Sequence, residues 1–238
     1  MAVIVAIQGA AAPLAAKAAT ATIPIVFSIG GDPIKFDLVS SLNRPGGNVT
    51  GTSFLVNTLG AKRLELLHEL VPSAGMIGVL VNPNNPASQS ETSDVQAAAR
   101  TLGLQTYVQN ASSSREIDAA FADFVRQRIN ALTFAADAVL MRQHNQIIAL
   151  AARHALPTIY FVREFVDGGG LMSYGGHIAE AYRLAGAYAG RILKGETPAE
   201  LPVQQVTKVE LVLNLKTAKT LGLTFPITLL GRADEVIE

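Results

Sequence analysis

Short β-branched and aliphatic runs alternate with amphipathic helical stretches along almost the whole chain, and each run closes on Gly, Asn, Asp or Pro. Runs such as Ile77-Gly78-Val79-Leu80-Val81 are apolar throughout rather than alternating, which is the pattern of strands covered on both faces. Strands separated by helices make βαβ units and a mainly parallel sheet. The spacing predicts strands at Val3–Ile7 (read as a buried strand), Pro24–Ser28, Val49–Thr52, Met76–Val81 and Leu104–Val108. Further strands are expected at Ala131–Ala135, Thr158–Phe161, Leu171–Tyr174 and Val209–Leu213, the last of the series. Helices are expected at Ala12–Ala19, Phe36–Leu42, Leu59–Leu70, Ser88–Leu102, Glu116–Arg126, Leu140–His154 and Ala179–Leu193. Pro13 suits a first helical turn, and Ser112, Ser113 or Ser114 can cap the helix near Glu116. The fold class is α/β.

With 238 residues the chain has room for one large domain or two lobes. Hydrophobic residues make up 49% and charged residues 16%, which suits a well-buried core and excludes disorder. The 19 basic residues balance the 19 acidic ones without any block of like charge. No footprint for nucleic acid or an anionic membrane is present. Cysteine is absent, so thiolate nucleophiles and thiolate zinc sites are excluded. The apolar stretches are too short to insert into a membrane. The opening residues lack a basic n-region, and their apolar run is too short for a signal peptide. A strand starting this abruptly leads us to expect that upstream residues are missing.

In open parallel sheets, ligands lie beyond the carboxyl ends of the strands. Gln8-Gly9-Ala10, Ser28–Asp32, Asn82–Asn85, Ala136-Asp137, Phe161–Glu164 and Ser173-Tyr174 stand there. This inventory of small, amide, hydroxyl, aromatic and a few carboxylate residues suits hydrogen bonding and stacking on a polar small molecule. Walker, Rossmann and nucleophile-elbow motifs are absent, so no enzymatic activity and no cofactor are expected. No metal site is expected either, since His68, His144, His154 and His177 are scattered. Asp32 follows two glycines and precedes Pro33, so it serves either turn chemistry or ligand contact. Asp137 has the same two readings, with helix capping as the structural one. Tyr160, Phe161, Phe165 and Tyr174 form either an aromatic wall or part of the core.

Several longer runs carry a resemblance. They are Ile23–Phe27 with Gly31-Asp32-Pro33, Ser41–Gly51, Lys62–Leu67, Val79–Pro86, Gly170–Gly175 and Asn214–Lys219. Across its whole length the chain resembles the substrate-binding proteins of ABC importers with the type I periplasmic binding fold. The resemblance is to the branch associated with aromatic amino acids such as tryptophan and tyrosine. It implies two Rossmann-like lobes joined by three crossover segments, near Thr50–Phe54, Ser173–Gly176 and Leu201–Thr207, with the solute held between the lobes. The first lobe would comprise residues 1–53 and about 175–202, the second residues 54–174 and about 203–238. Relatives carry two β-α units ahead of the strand that opens this chain, so the first lobe is expected to be incomplete and the chain truncated, with Val3–Ile7 becoming a sheet edge of uncovered apolar surface. Hydroxyls or glycines that relatives place after Ile7 are replaced by Ala10-Ala11-Ala12, leaving backbone N–H groups there.

The expected ligand contacts are Gly9, Ala10, Ser28, Asp32, Asn82, Asn84, Asp137, Phe161, Glu164 and Tyr174. In this scheme the Gly9-Ala10 amides and Ser28 hold a carboxylate, Asp32 or Asp137 pairs with an ammonium, and Phe161 or Tyr174 covers the apolar part. The implied partners are a small-molecule solute and ABC transporter permease subunits. The family implies a periplasmic location, whereas the chain as given, without a leader, would remain in the cytoplasm. A sensory or regulatory ligand-binding domain of the same fold is the alternative; the lack of a helix-turn-helix segment and of a basic arm weighs against it.

Overall fold

The computed structural model describes residues 2–7, 9–54 and 56–238. In chain order the first elements are β1 (Ile4–Ile7), α1 (Ala11–Ala19), β2 (Ile25–Ile29), β3 (Val49–Ser53), α2 (Gly60–Leu70) and β4 (Met76–Val81). Then come α3 (Ser88–Thr101), β5 (Gln105–Asn110), α4 (Ser114–Arg126), β6 (Ala131–Phe134), α5 (Ala138–Arg142) and α6 (His144–Arg153). They are followed by β7 (Ile159–Tyr160), α7 (Glu164–Asp167), β8 (Met172–Gly176), α8 (Ile178–Leu193) and β9 (Gln204–Gln205). The last are β10 (Val209–Asn214), α9 (Leu215–Thr220), α10 (Ile227–Leu230) and β11 (Glu235–Ile237). No helix is long and apolar enough to cross a membrane among the described residues.

The chain divides into two compact units, Met1–Val56 with Gly176–Lys208, and Asn57–Gly175 with Val209–Glu238. The first is built on a parallel sheet of order β1-β2-β3-β9. One core cluster joins Ala6, Ile25, Phe27, Ile29, Leu38, Val39, Val49 and Val203, with Leu14 and Ala16 of α1 packed against it. A second joins Val26 to Ala185, Tyr188, Ala189 and Ile192 of α8. Successive residues of β2 thus feed different clusters, which is why Ile25–Ile29 is buried at every position and reads as an unbroken apolar run.

The second unit carries the sheet β5-β4-β6 and the sheet β11-β10-β8-β7. The parallel bridge Leu132–Thr158 runs between them at the β6–β7 junction. A large core cluster joins Leu64, Leu66, Leu67 and Leu70 of α2 to Ile77, Val79 and Val81 of β4 and to Leu211 and Leu213 of β10.

Four local expectations need correction. Phe36–Leu42 is not a helix: Asp37 adopts φ 53°, and the Pro33 carbonyl accepts from both Leu38 and Val39, closing turns that place Leu38 and Val39 in the core. Leu140–His154 is two helices rather than one, divided at Gln143, beside which His144 Nδ1 lies 3.0 Å from the Met141 carbonyl. Val209–Leu213 is not the last strand, because β11 pairs in parallel with β10. Val3–Ile7 is not the buried strand its composition suggests but the sheet edge also expected for it: β1 pairs only with β2 among the described residues, and Val5 and Ile7 are 47% and 37% exposed. A strand with one neighbour leaves half of its surface uncovered.

Candidate functional site

In the first unit the carboxyl ends of the strands are held level by register. Ile7 stands opposite Ser28, and Ser28 opposite Thr52. Gln8 lies outside the described residues. Gly9 has φ 106°, and Ala10, buried, stands at the N-cap of α1 and supplies no side-chain cap. The first N–H groups of a helix have no acceptor within it. Ser28 is fully buried, with Oγ 2.9 Å from Thr52 Oγ1, which lies 3.2 Å from the Ala181 carbonyl of α8. Thr52 has one hydroxyl proton, so when it donates to Ala181 it accepts from Ser28. Asp32 Oδ1 accepts from the Ile34 and Lys35 amides at 2.9 and 3.4 Å, the turn geometry of a short acidic side chain. Ser53 Oγ donates to the Gly31 carbonyl at 2.8 Å and steadies the same loop. Gly9, Ala10, Ser28 and Asp32 therefore share one end of one sheet.

In the second unit, Asn82 follows β4, is buried, and accepts from the Asn84 amide at 3.0 Å through Oδ1. Asn84 itself is exposed. Asp137 follows β6 and caps α5, accepting from the Val139 and Leu140 amides at 2.7 and 3.1 Å. Its second oxygen accepts from Asn85 Nδ2 at 3.1 Å. The capping reading of Asp137 is thus realised, and the carboxylate is held in a fixed place.

Phe161 and Glu164 follow β7, and Tyr174 lies within β8. Tyr160 and Phe165 stack on Phe134 within the core, with Tyr160 and Phe165 centroids 4.6 Å apart. Phe161 meets Phe165 edge-on at 5.2 Å and is itself buried. Tyr174 is only partly buried. Glu164 begins α7, and its Oε2 is buried without a hydrogen-bond partner. Burial pushes its carboxyl above the ordinary range, and the nearby Asp167 and Glu210 charges add to this.

Beyond β8, a Cβ on Gly175 would lie 1.8 Å from the Phe161 carbonyl oxygen. A Cβ on Gly176 would lie 2.5 Å from that of Phe54. Only glycine permits these approaches. Both residues stand where the chain passes from one unit to the other.

Beneath the strand ends of the second unit lies a buried network absent from the expected set. Arg63 of α2 pairs with Glu91 of α3, and both side chains are inaccessible to solvent. Glu91 Oε2 also accepts from Asn57 Nδ2 at 2.9 Å and from the Ala136 amide at 3.0 Å. The Ala136 carbonyl accepts from Asn57 at 3.2 Å and from Asn85 at 3.0 Å. Arg63 Nη1 lies 3.4 Å from the Tyr174 carbonyl. Burial pushes the Glu91 carboxyl up and the Arg63 guanidinium down, and each charge opposes the shift of the other. Periodicity held a signal for both residues. Arg63 sits three or four positions from Leu59, Leu66 and Leu67, and Glu91 four from Val95, so each charge falls on a core-facing helix stripe.

Comparison with known proteins gives a consistent result. The family described as ABC transporter substrate binding protein matches residues 1–237. A tyrosine-binding protein of Clostridioides difficile (strain R20291) is 29% identical over 209 residues, covering 88% of this chain. The chain spans only 60% of that relative's length. The crystal structure of an ABC domain in complex with L-Trp from Streptococcus pneumonia superposes with a TM-score of 0.86 at 27% identity, covering 99% of this chain and 78% of that one. A conserved domain protein from Vibrio cholerae gives a TM-score of 0.86 at 29% identity, covering 98% and 78%.

Proposed function

The chain belongs to the ABC transporter substrate binding protein family, and from that premise we propose that it captures an amino acid with an aromatic side chain for an importer. The observation that carries this reading is the likeness, over 99% of the chain, to a structure solved with L-tryptophan. The tyrosine-binding relative supports the same ligand class.

The chemistry at the strand ends suits such a ligand. The ligand carboxylate is taken by the backbone N–H groups around Gly9 and Ala10, at the N-terminus of α1, where the helix dipole favours an anion. Ser28, expected to share the carboxylate, is buried with its hydroxyl on Thr52 Oγ1, so in this scheme the backbone groups take the larger part. The ammonium pairs with Asp137, already oriented by Val139, Leu140 and Asn85, or with Asp32. Phe161 and Tyr174 cover the ring, and Asn82, Asn84 and Glu164 complete the polar lining. Each charge-assisted hydrogen bond contributes about 1.5–3 kcal/mol, so a few of them give micromolar binding. No bond is made or broken in this scheme, so the role is transport rather than catalysis. Permease subunits are the partners and the periplasm the compartment that this role implies.

Isothermal titration of the chain with each of the twenty amino acids tests the reading. We expect heat with L-tryptophan, L-tyrosine or L-phenylalanine and a Kd in the micromolar range or below. No heat with any of the twenty overturns it.

A further inference from the structure

We propose that the buried Arg63–Glu91 pair is a positioning element, holding the loops that carry Asn85 and Asp137, and Tyr174 of β8, in one preformed arrangement for the ligand. The proposal rests on the ligand site described above. It starts from an energetic anomaly: a fully buried ion pair is a weak source of stability, because desolvation offsets the Coulombic gain, and apolar residues of similar volume often serve as well or better. Arg63 and Glu91 stand on helix stripes otherwise occupied by Leu64, Leu66, Leu67, Val95 and Ala99, where such residues would fit.

What apolar residues could not supply is the set of bonds that leave the pair. Glu91 holds the Ala136 amide and the Asn57 side chain. Ala136 in turn holds Asn85, and Asn85 holds Asp137. Arg63 reaches the Tyr174 carbonyl. Three segments distant in sequence, at Asn57, Ala136-Asp137 and Tyr174, thus converge on one guanidinium and one carboxylate, and a fourth, at Asn85, is held through Ala136 and Asp137. Gly60 lets α2 approach this closely, since a Cβ there would lie 2.8 Å from Val95 Cγ2 and 3.2 Å from Glu91 Cγ. Asn57 and Tyr174 lie at or next to the points where the chain leaves the second unit, so the pair fixes those ends together with the ligand loops. A buried polar network of this kind specifies one arrangement of its members.

The test compares the wild-type chain with Arg63→Met/Glu91→Leu, which keeps volume and removes both charges, and with Glu91→Gln, which keeps shape. Titration with L-tryptophan and L-tyrosine reads affinity, thermal melting reads the fold, and hydrogen exchange of peptides spanning residues 82–87 and 135–140 reads the loops. We expect Kd to rise about tenfold or more and exchange at the two loops to accelerate about tenfold or more, while β4 and β6 stay protected. Wild-type affinity, or loops as protected as in the wild type, overturns the proposal. So does loss of protection spread evenly over the second unit, which marks a purely structural role. If the double variant does not fold, the same readouts on Glu91→Gln decide. If the wild-type chain binds neither amino acid, the ligand reading has failed, and exchange at the two loops still decides whether the pair positions them.

Discussion

Asp137 serves two masters, and replacing it by Asn and by Ala separates them. As a helix cap it accepts from the Val139 and Leu140 amides, and its other oxygen accepts from Asn85. Asp137→Asn retains an oxygen for the cap but turns an NH₂ toward the Asn85 amide, so one charge-assisted bond is lost. Asp137→Ala removes the cap as well. Losing a cap costs about 1 kcal/mol, and losing a hydrogen bond to a charged group about 1.5–3 kcal/mol. In a chain of this size each kcal/mol moves Tm by about 2–4 °C. Asp137→Ala is therefore expected to melt roughly 5–15 °C below the wild type, with Asp137→Asn a few degrees above it. Ligand affinity should rank differently. Both variants lose the negative charge that the proposed scheme sets against the ammonium, so on that scheme both should bind L-tryptophan or L-tyrosine about 10- to 100-fold more weakly. Melting and calorimetry on the same samples give both quantities. If Asp137→Asn binds as tightly as the wild type, Asp137 is a cap alone, and Asp32 is left as the ammonium partner of the scheme.

Glu164→Gln should raise stability at neutral pH by about 1 kcal/mol, because a half-buried carboxylate oxygen without a partner gives way to a neutral amide. The folded-state pKa of Glu164 is raised, so its contribution is fully present below the ordinary carboxylate range and lost as pH rises through the folded value. A Tm-against-pH profile of Glu164→Gln should be flatter in that window, and an unchanged profile would count against the assignment. Gly175→Ala should cost at least about 3 kcal/mol, since the added Cβ meets the Phe161 backbone rather than a side chain that can move. A melting temperature within 2–3 °C of the wild type would contradict this geometry. Thr52→Val should destabilise the first unit by about 1–2 kcal/mol by removing the hydroxyl between Ser28 and Ala181, and denaturant titration measures it.

Much of the α/β pattern was readable because hydrophobic runs and helix stops are local signals. Ile77–Val81, Gly103 and the Lys194-Gly195 helix end need no tertiary information. The failures lie where tertiary context overrules local preference. Phe36–Leu42 carries a helical pattern, yet the Pro33 carbonyl and the left-handed Asp37 turn it another way. Glu235–Ile237 is too short to announce itself and is a strand only because β10 offers a free edge. Val3–Ile7 looks buried by composition, yet exposure follows from the number of neighbouring strands, which composition does not encode.

The candidate site divides along the same line. Residues at strand ends can be read in sequence because topology alone places ligands there, and Asp32, Asn82 and Asp137 all stand in such loops. What sequence does not reveal is which of their atoms are already engaged. Asp32 and Asn82 spend an oxygen on their own turns, Ser28 is sealed against Thr52, and Asp137 is held from three sides. The support beneath them was written as two charges at core-facing spacing, Arg63 and Glu91. A lone charge on an apolar stripe is ambiguous, but two of opposite sign on helices that pack together make a pair nearly obligatory, because neither is stable there alone. Complementary charges at core-facing positions of neighbouring helices therefore mark the centre of this network in the sequence itself. The residues it gathers, Asn57, Ala136 and Tyr174, act through backbone or amide groups and leave no comparable trace.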